Sequence, residues 1–208
     1  MRTKLFIAAL IASSAIAAPA LAQTTSSDQT FAGSHAEVIA GWDRVNDKSS
    51  YDASRDGVTY GGNIGYDIQR GSTVFGVEGE VTGSSISDRT SNVLTAGDRL
   101  RVKAGRDLYV GGRLGFLATP RTLIYAKAGY TNAQFITDYD SPATATAPAL
   151  SLRQRDNYDG WRLGAGAEFK LTDKVFAKAE YRYSNYGSQT NGVDPERHQI
   201  VTGIGVRF

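Results

Sequence analysis

Cysteine is absent from the 208-residue chain. That excludes a disulfide scaffold, a cysteine zinc cage, a thiol nucleophile and a lipid on an N-terminal cysteine. Histidine occurs only at 35 and 198, so the side chain most often used as a catalytic base is nearly missing. The mean hydropathy of -0.30 is too low for a bundle of membrane-spanning helices, each needing about 20 apolar residues. Collagen-like and disordered classes fail as well: aromatics make up 10%, and the glycines show no three-residue period.

What is present begins with a leader. Arg2 and Lys4 form a basic start, Leu5 to Ala12 an apolar stretch, and Ala20-Leu21-Ala22 a small-residue cleavage motif. Residues 1–22 are therefore expected to be a signal peptide cut between Ala22 and Gln23, leaving 23–208 as one exported domain. Losing Arg2 and Lys4 leaves 21 basic residues against 21 acidic ones. A formally neutral chain gives no electrostatic case for nucleic acid. All 23 glycines fall after the leader, where they are about 12% of the residues against a usual ~7%.

From residue 31 the pattern has period two. Tyr60, Gly62, Ile64, Tyr66 and Ile68 form an apolar or small face against Gly61, Asn63, Gly65 and Asp67. Trp161–Phe169 and Ile200–Phe208 repeat it, and similar segments cover about 35–43, 73–83, 107–117, 122–132 and 174–184. Eight strands result, most near the 9–11 residues that a tilted strand needs to cross a bilayer. Short turns at Gln69–Ser72, Ala118–Arg121 and Leu171–Lys174 alternate with longer polar stretches at roughly 44–58, 84–98, 133–158 and 186–197. Short turns on one side and long loops on the other are the pattern of an outer-membrane barrel.

Alternation alone does not say which face is inside, because a lipocalin inverts the two. Three features point the apolar face outward. Aromatics mark both strand ends: Trp42, Tyr60, Tyr130, Trp161 and Tyr183 at the loop end, and Phe75, Phe116, Phe169 and Phe208 at the turn end. Two such belts read as interfacial girdles. The polar face carries Glu37, Asp67, Glu78, Glu80, Glu168 and Glu180 together with Arg113, Lys127, Arg162, Lys178, Arg182 and Arg207. Long charged side chains fit inside an eight-stranded barrel where neighbours are small, and Gly61, Gly65, Gly111, Gly115, Gly164, Gly166, Gly203 and Gly205 share that face. Closure also removes the unpaired edge that lipid forbids. The expected fold is all-β, an eight-stranded antiparallel transmembrane up-and-down barrel with short periplasmic turns, long extracellular loops and a salt-bridged interior.

Five segments resemble the opacity-type small outer-membrane barrels, known in alphaproteobacteria as porin-family or surface-antigen proteins. They are Thr73–Glu80, Leu123–Gly129, Gly160–Gly166, Ala179–Tyr183 and Gly203–Phe208. The resemblance implies an integral outer-membrane protein with structural or surface-adhesive roles and no substrate. It also implies that Phe208 is the terminal aromatic read by the barrel-assembly machinery.

The functional expectation is a non-enzymatic barrel that stabilises the envelope, surrounded by outer-membrane lipid and lipopolysaccharide, with a host or surface ligand at the loops. A narrow pore for small solutes is the first alternative, weakened because wide aqueous channels belong to barrels of 16–18 strands. A lipid A-modifying enzyme is the second. It is weakened because His35 falls at the periplasmic start of the first strand, as an interfacial or surface residue, and His198 points outward at the other end. Glu78 and Glu80 share a face, which suits acid/base chemistry but also ion pairing. Arg99, Arg101, Lys103 and Arg106 suit either lipopolysaccharide phosphates or a solvated strand extension. The stretch within 133–158 is low in complexity and expected to be mobile. No nucleotide, zinc or calcium motif is present, so neither cofactor nor metal is expected.

Overall fold

The computed structural model describes residues 30–47, 53–143, 148–187 and 195–208; the leader and its cleavage point lie outside them. Among the described residues every regular element is a strand: β1 (Gly33–Asp47), β2 (Ala53–Arg70), β3 (Thr73–Ser84), β4 (Ser87–Ser91), β5 (Arg99–Thr119), β6 (Thr122–Ser141), β7 (Leu150–Lys170), β8 (Val175–Tyr186) and β9 (Pro195–Arg207). Chain neighbours pair antiparallel except β3 and β4, and β9 pairs with β1. β5 pairs both with β4 and, below it, with β3 from Thr73↔Phe116 to Thr82↔Asp107. Eight strands thus form a ring of ladders, and β4 continues β3 past an irregular step.

The hydrophobic effect works in reverse here. Val38, Ile64 and Val77 are 65%, 68% and 64% exposed, an arrangement stable only where lipid replaces water on the outer face. The intervening residues of the same strands point into the ring and are buried. Register sets each face: Ala36↔Ile64 and Ile64↔Gly79 sit outward, while Glu37↔Asn63 and Gly65↔Glu78 sit inward. Gly71, at φ 57°, takes the left-handed conformation that lets the β2–β3 turn close in two residues.

The loops differ from the expectation. β6 runs to Ser141 and β7 starts at Leu150, so most of 133–158 is hairpin rather than a mobile loop. The stretches 44–58 and 84–98 likewise contain parts of β1, β2 and β4. Polar residues fall on both faces of most of these outer strand ends, so the apolar alternation fades there. Ladder hydrogen bonds form regardless, because they satisfy the backbone. A bulge between Ala104 and Asp107 bends β5 where the membrane-embedded part gives way to this extension.

Close packing inside the ring explains why glycine is needed at Gly205. A Cβ there would lie 2.7 Å from the Ala36 carbonyl oxygen and would strike the Phe176 ring. Gly205→Val is expected to cost about 1–3 kcal/mol by overpacking, read from urea unfolding in detergent. An unchanged midpoint would show that the ring has room to spare at Gly205.

Candidate functional site

The lumen is the chemically distinctive part of the molecule. Glu37, Asp43, Asp67, Glu78, Glu80, Asp107, Glu168 and Glu180 are buried there, with Arg113, Lys127, Arg162, Lys178, Arg182, Arg197 and Arg207. They fall into two ion-pair groups. Near the turn end, Asp67 receives Arg113 and Arg207 (2.6 Å), with His35 Nδ1 3.3 Å away, while Glu168 receives Arg207 (2.7 Å) and Arg113 (3.3 Å). The second group climbs the lumen. Lys178 holds Glu37; Lys127 bridges Glu78 (2.7 Å) and Glu180 (2.9 Å); Arg182 joins Glu180 to Glu80 (2.6 Å). Arg162 then links Glu80 (3.1 Å) to Asp107 (2.5 Å), and Arg197 links Asp107 (2.8 Å) to Asp43 (2.5 Å).

Aromatic rings fill the spaces between these charges. Lys127 and Arg162 lie 4.7 and 5.3 Å from the Tyr109 ring, within cation–π range. The Tyr125 hydroxyl donates to Glu180 at 2.5 Å, and Tyr186 donates to Asp107 at 2.9 Å. Desolvation makes an isolated buried charge very costly, so pairing is the condition for these residues to be there at all.

The turn end is closed by apolar groups. Phe31 is fully buried against Val74 and Leu123, with Leu117 beside them. Its N–H donates to Gln69 Oε1 at 2.8 Å, and its carbonyl accepts from Arg207 at 2.6 Å. Residues 30–32, just before β1, therefore fold back into the mouth as a plug.

All twelve charged residues assigned from the alternation lie in this lumen. Sequence reasoning missed Asp43 and Asp107, which end the expected segments 35–43 and 107–117 but lie inside β1 and β5, and Arg197, which falls in the stretch expected to be a loop. It also placed His35 at a surface or interface. His35 is instead buried, with Nδ1 facing Asp67 and the ring edge-on to Phe176 at 6.2 Å. Its odd number on β1, shared with Glu37, was the available signal. His198 faces outward at the other end, with Nδ1 2.7 Å from the Tyr181 hydroxyl.

On the outer surface, Trp42, Tyr60, Tyr130 and Trp161 are exposed toward the extension end, and Phe75, Phe116, Phe169 and Phe208 toward the turn end. Tyr183 is half-buried between Trp161 and His198, at 5.4 and 5.1 Å. The Phe208 N–H donates to the Ser34 carbonyl at 2.8 Å, tying the chain end to β1.

Beyond the lumen, Asp98 organises the connection between β4 and β5. Its carboxylate accepts from the N–H groups of Val93 (2.7 Å), Leu94 (2.8 Å) and Thr95 (2.9 Å), and from the Tyr139 hydroxyl (3.1 Å). Burial favours the neutral acid, but the backbone donors and Tyr139 outweigh it and bring the pKa from 3.8 down to about 2. A depressed folded pKa contributes stability above the ordinary value and loses it as pH falls through the folded one. The connection should therefore resist pepsin at pH 3 and yield as pH nears 2. Asp98→Asn should be cut roughly fivefold faster at pH 3, the equivalent of about one lost hydrogen bond. Equal cleavage rates would contradict this.

A profile described as "Outer membrane protein beta-barrel domain" matches residues 8–208. The 25 kDa outer-membrane immunogenic protein of Brucella ovis is 28% identical over 169 residues, covering 81% of this chain and 72% of that protein. The 31 kDa outer-membrane immunogenic protein of Brucella melitensis is 27% identical over 238 residues, covering 97% of each. Among solved structures, Neisserial surface protein A superposes with a TM-score of 0.52 at 16% identity, over 83% of this chain and 97% of that one.

Proposed function

The chain belongs to the outer membrane protein β-barrel domain family, and on that premise we propose that it is a non-enzymatic, non-conducting barrel of the outer membrane. In this reading a leader cut between Ala22 and Gln23 directs export. The assembly machinery reads the exposed Phe208, and the strand extensions meet lipopolysaccharide and surface ligands outside. The observation that carries it is the filled lumen, in which each buried carboxylate named above has a cationic partner. A solute path would need open space, and eight strands leave an interior that side chains fill. Enzymatic use of the lumen would need a carboxylate free to exchange protons, whereas Glu78 and Glu80 are held by Lys127 and by Arg162 and Arg182. His198 is engaged by Tyr181. The two relatives' names, which call them immunogenic, support surface exposure of the extensions.

Protease added to intact cells tests the orientation. Cleavage in the 92–98 and 142–149 connections, with a protected membrane fragment, is expected. Removing the hairpin tip 139–152 should leave the heat-dependent shift on SDS gels intact. A chain cut only after the cells are broken would overturn the reading, and so would a tip deletion that prevents the barrel from forming.

A further inference from the structure

The outer surface between β2, β3 and β5 is indented. β3 and β5 pair only as far as Thr82↔Asp107, and pairing resumes at Ser87↔Lys103. Opposite the gap, Gly105 and Arg106 form the bulge of β5. The result is a cavity of about 480 Å³ lined by Tyr60, Gly62, Val81, Gly83 and Arg106. A second cavity of about 410 Å³ shares Gly62 and Val81 and continues past Ile64 and Gly79 along the membrane-facing wall. Its floor is open at Gly79, where a Cβ would meet nothing nearer than 3.9 Å.

Cations crowd the upper end of this groove. Arg106 lines it, and Lys103, Arg101 and Arg99 follow on β5. Register sets Arg89 of β4 directly opposite Arg101. Like charges facing each other across a ladder are destabilising, and no acid relieves this pair. The nearest candidate, Asp138 on the other side of Arg101, is taken by Lys103 at 3.2 Å and Arg153 at 3.4 Å. Among the described residues Arg89, Arg99, Arg101 and Arg106 have no carboxylate partner, and the Arg101 Nε is shielded from solvent with no acceptor. Each lumenal cation named above meets a carboxylate, and these four arginines differ from them in that respect.

We propose that this face binds a phosphate-bearing lipid of the outer leaflet, with an acyl chain along the groove from Gly83 to Gly79. The head-group phosphate lies between Arg89 and Arg101, with Arg106 at the groove's rim. Arginine suits the task because its planar fork binds phosphate oxygens in pairs. An acyl chain suits the apolar wall, which lacks side chains where the glycines stand. The assignment rests on reading the chain as an outer-membrane barrel whose extension faces outward.

The test uses the mature protein folded in phosphatidylcholine nanodiscs and titrated with three probes: lipid A, dephosphorylated lipid A, and the deacylated phosphorylated disaccharide. Arg89→Gln/Arg101→Gln/Arg106→Gln should weaken lipid A binding at least about tenfold, given the strength of hydrogen bonds to charged groups. Arg155→Gln, an exposed arginine on β7, should change it less than about twofold. Gly79→Leu should weaken binding of lipid A while leaving the deacylated disaccharide unaffected. Equal binding by the triple variant, or by dephosphorylated lipid A, would overturn the phosphate site, and an inert Gly79→Leu would overturn the groove. Every variant is also run with and without boiling on SDS gels. A wild-type protein with no heat shift would sink the barrel reading itself, whereas a shifted protein that ignores lipid A would sink only this site.

Discussion

Lys178→Met is expected to destabilise the folded barrel by about 3–5 kcal/mol, because breaking a buried pair leaves its partner uncompensated. Lys178 is the cation that holds Glu37, and both side chains are essentially inaccessible to solvent. Glu37 Oε2 has no hydrogen-bond partner, so the carboxylate has no reserve once the ammonium is gone. The consequence is separable from simple loss of packing. Adding Glu37→Leu to Lys178→Met removes the stranded charge, and replacing a whole buried pair by apolar groups is often neutral or stabilising. The double variant should therefore recover most of the loss. An exposed pair gives the contrast: Arg44 and Asp56 meet at 2.7 Å with side chains 41% and 48% accessible. Arg44→Met should cost less than about 1 kcal/mol, as surface pairs do. Urea unfolding in detergent micelles, followed by gel shift, measures all three. Similar small losses for Lys178→Met and Arg44→Met would show that the lumen is wet and its pairs are dispensable.

Phe31→Ala should cost a comparable amount, about 3–5 kcal/mol, the usual range for truncating a fully buried phenylalanine. Phe31 is 0% exposed, and Arg207 and Lys170 lie 5.7 and 5.9 Å from its ring. Removing the ring leaves a cavity at the turn-end mouth beside Val74 and Leu123. It also exposes Arg207, whose contacts with Asp67 and Glu168 lie just above. Thr30→Ala, one residue earlier and bonded to the Pro120 carbonyl at 3.4 Å, should cost far less. A Phe31→Ala loss below about 1 kcal/mol, the level of an ordinary surface substitution, would mean that the segment before β1 merely rests on the mouth.

Much of this architecture was legible wherever the two faces of a strand differ. Tyr60–Ile68 and Trp161–Phe169 alternate because one face meets lipid and the other meets packed charge, so strand, facing and direction could be read together. The three tight turns carried their own chemistry, as Gly71 illustrates. Legibility failed where that contrast fades. In the outer halves of β6 and β7 polar residues fall on both faces, Asp138 and Arg153 on one and Thr137 and Gln154 on the other, while in β5 the alternation of Leu100, Val102 and Ala104 with Arg99, Arg101 and Lys103 is cut off from the rest of the strand by the bulge. Asp107 stands at the end of an expected segment and Arg197 in a stretch expected to be a loop, and both went unassigned. His35 was misjudged by its place at the end of a strand, although the lumen is occupied there too. Phe31 could not be distinguished from the first residue of a strand, because folding back into a barrel mouth depends on residues such as Gln69 and Arg207 that are far away in the chain.

The proposed closure of the lumen, by Phe31 below and by the Arg197–Asp43–Asp107 cluster above, has a direct electrical consequence. The purified, refolded protein is reconstituted in planar lipid bilayers, and current is recorded in dilute and in concentrated potassium chloride. A silent membrane is expected at both concentrations, from a preparation whose heat-dependent gel shift shows the barrel to be folded. A steady open-channel current that rises with salt concentration would contradict the sealed lumen.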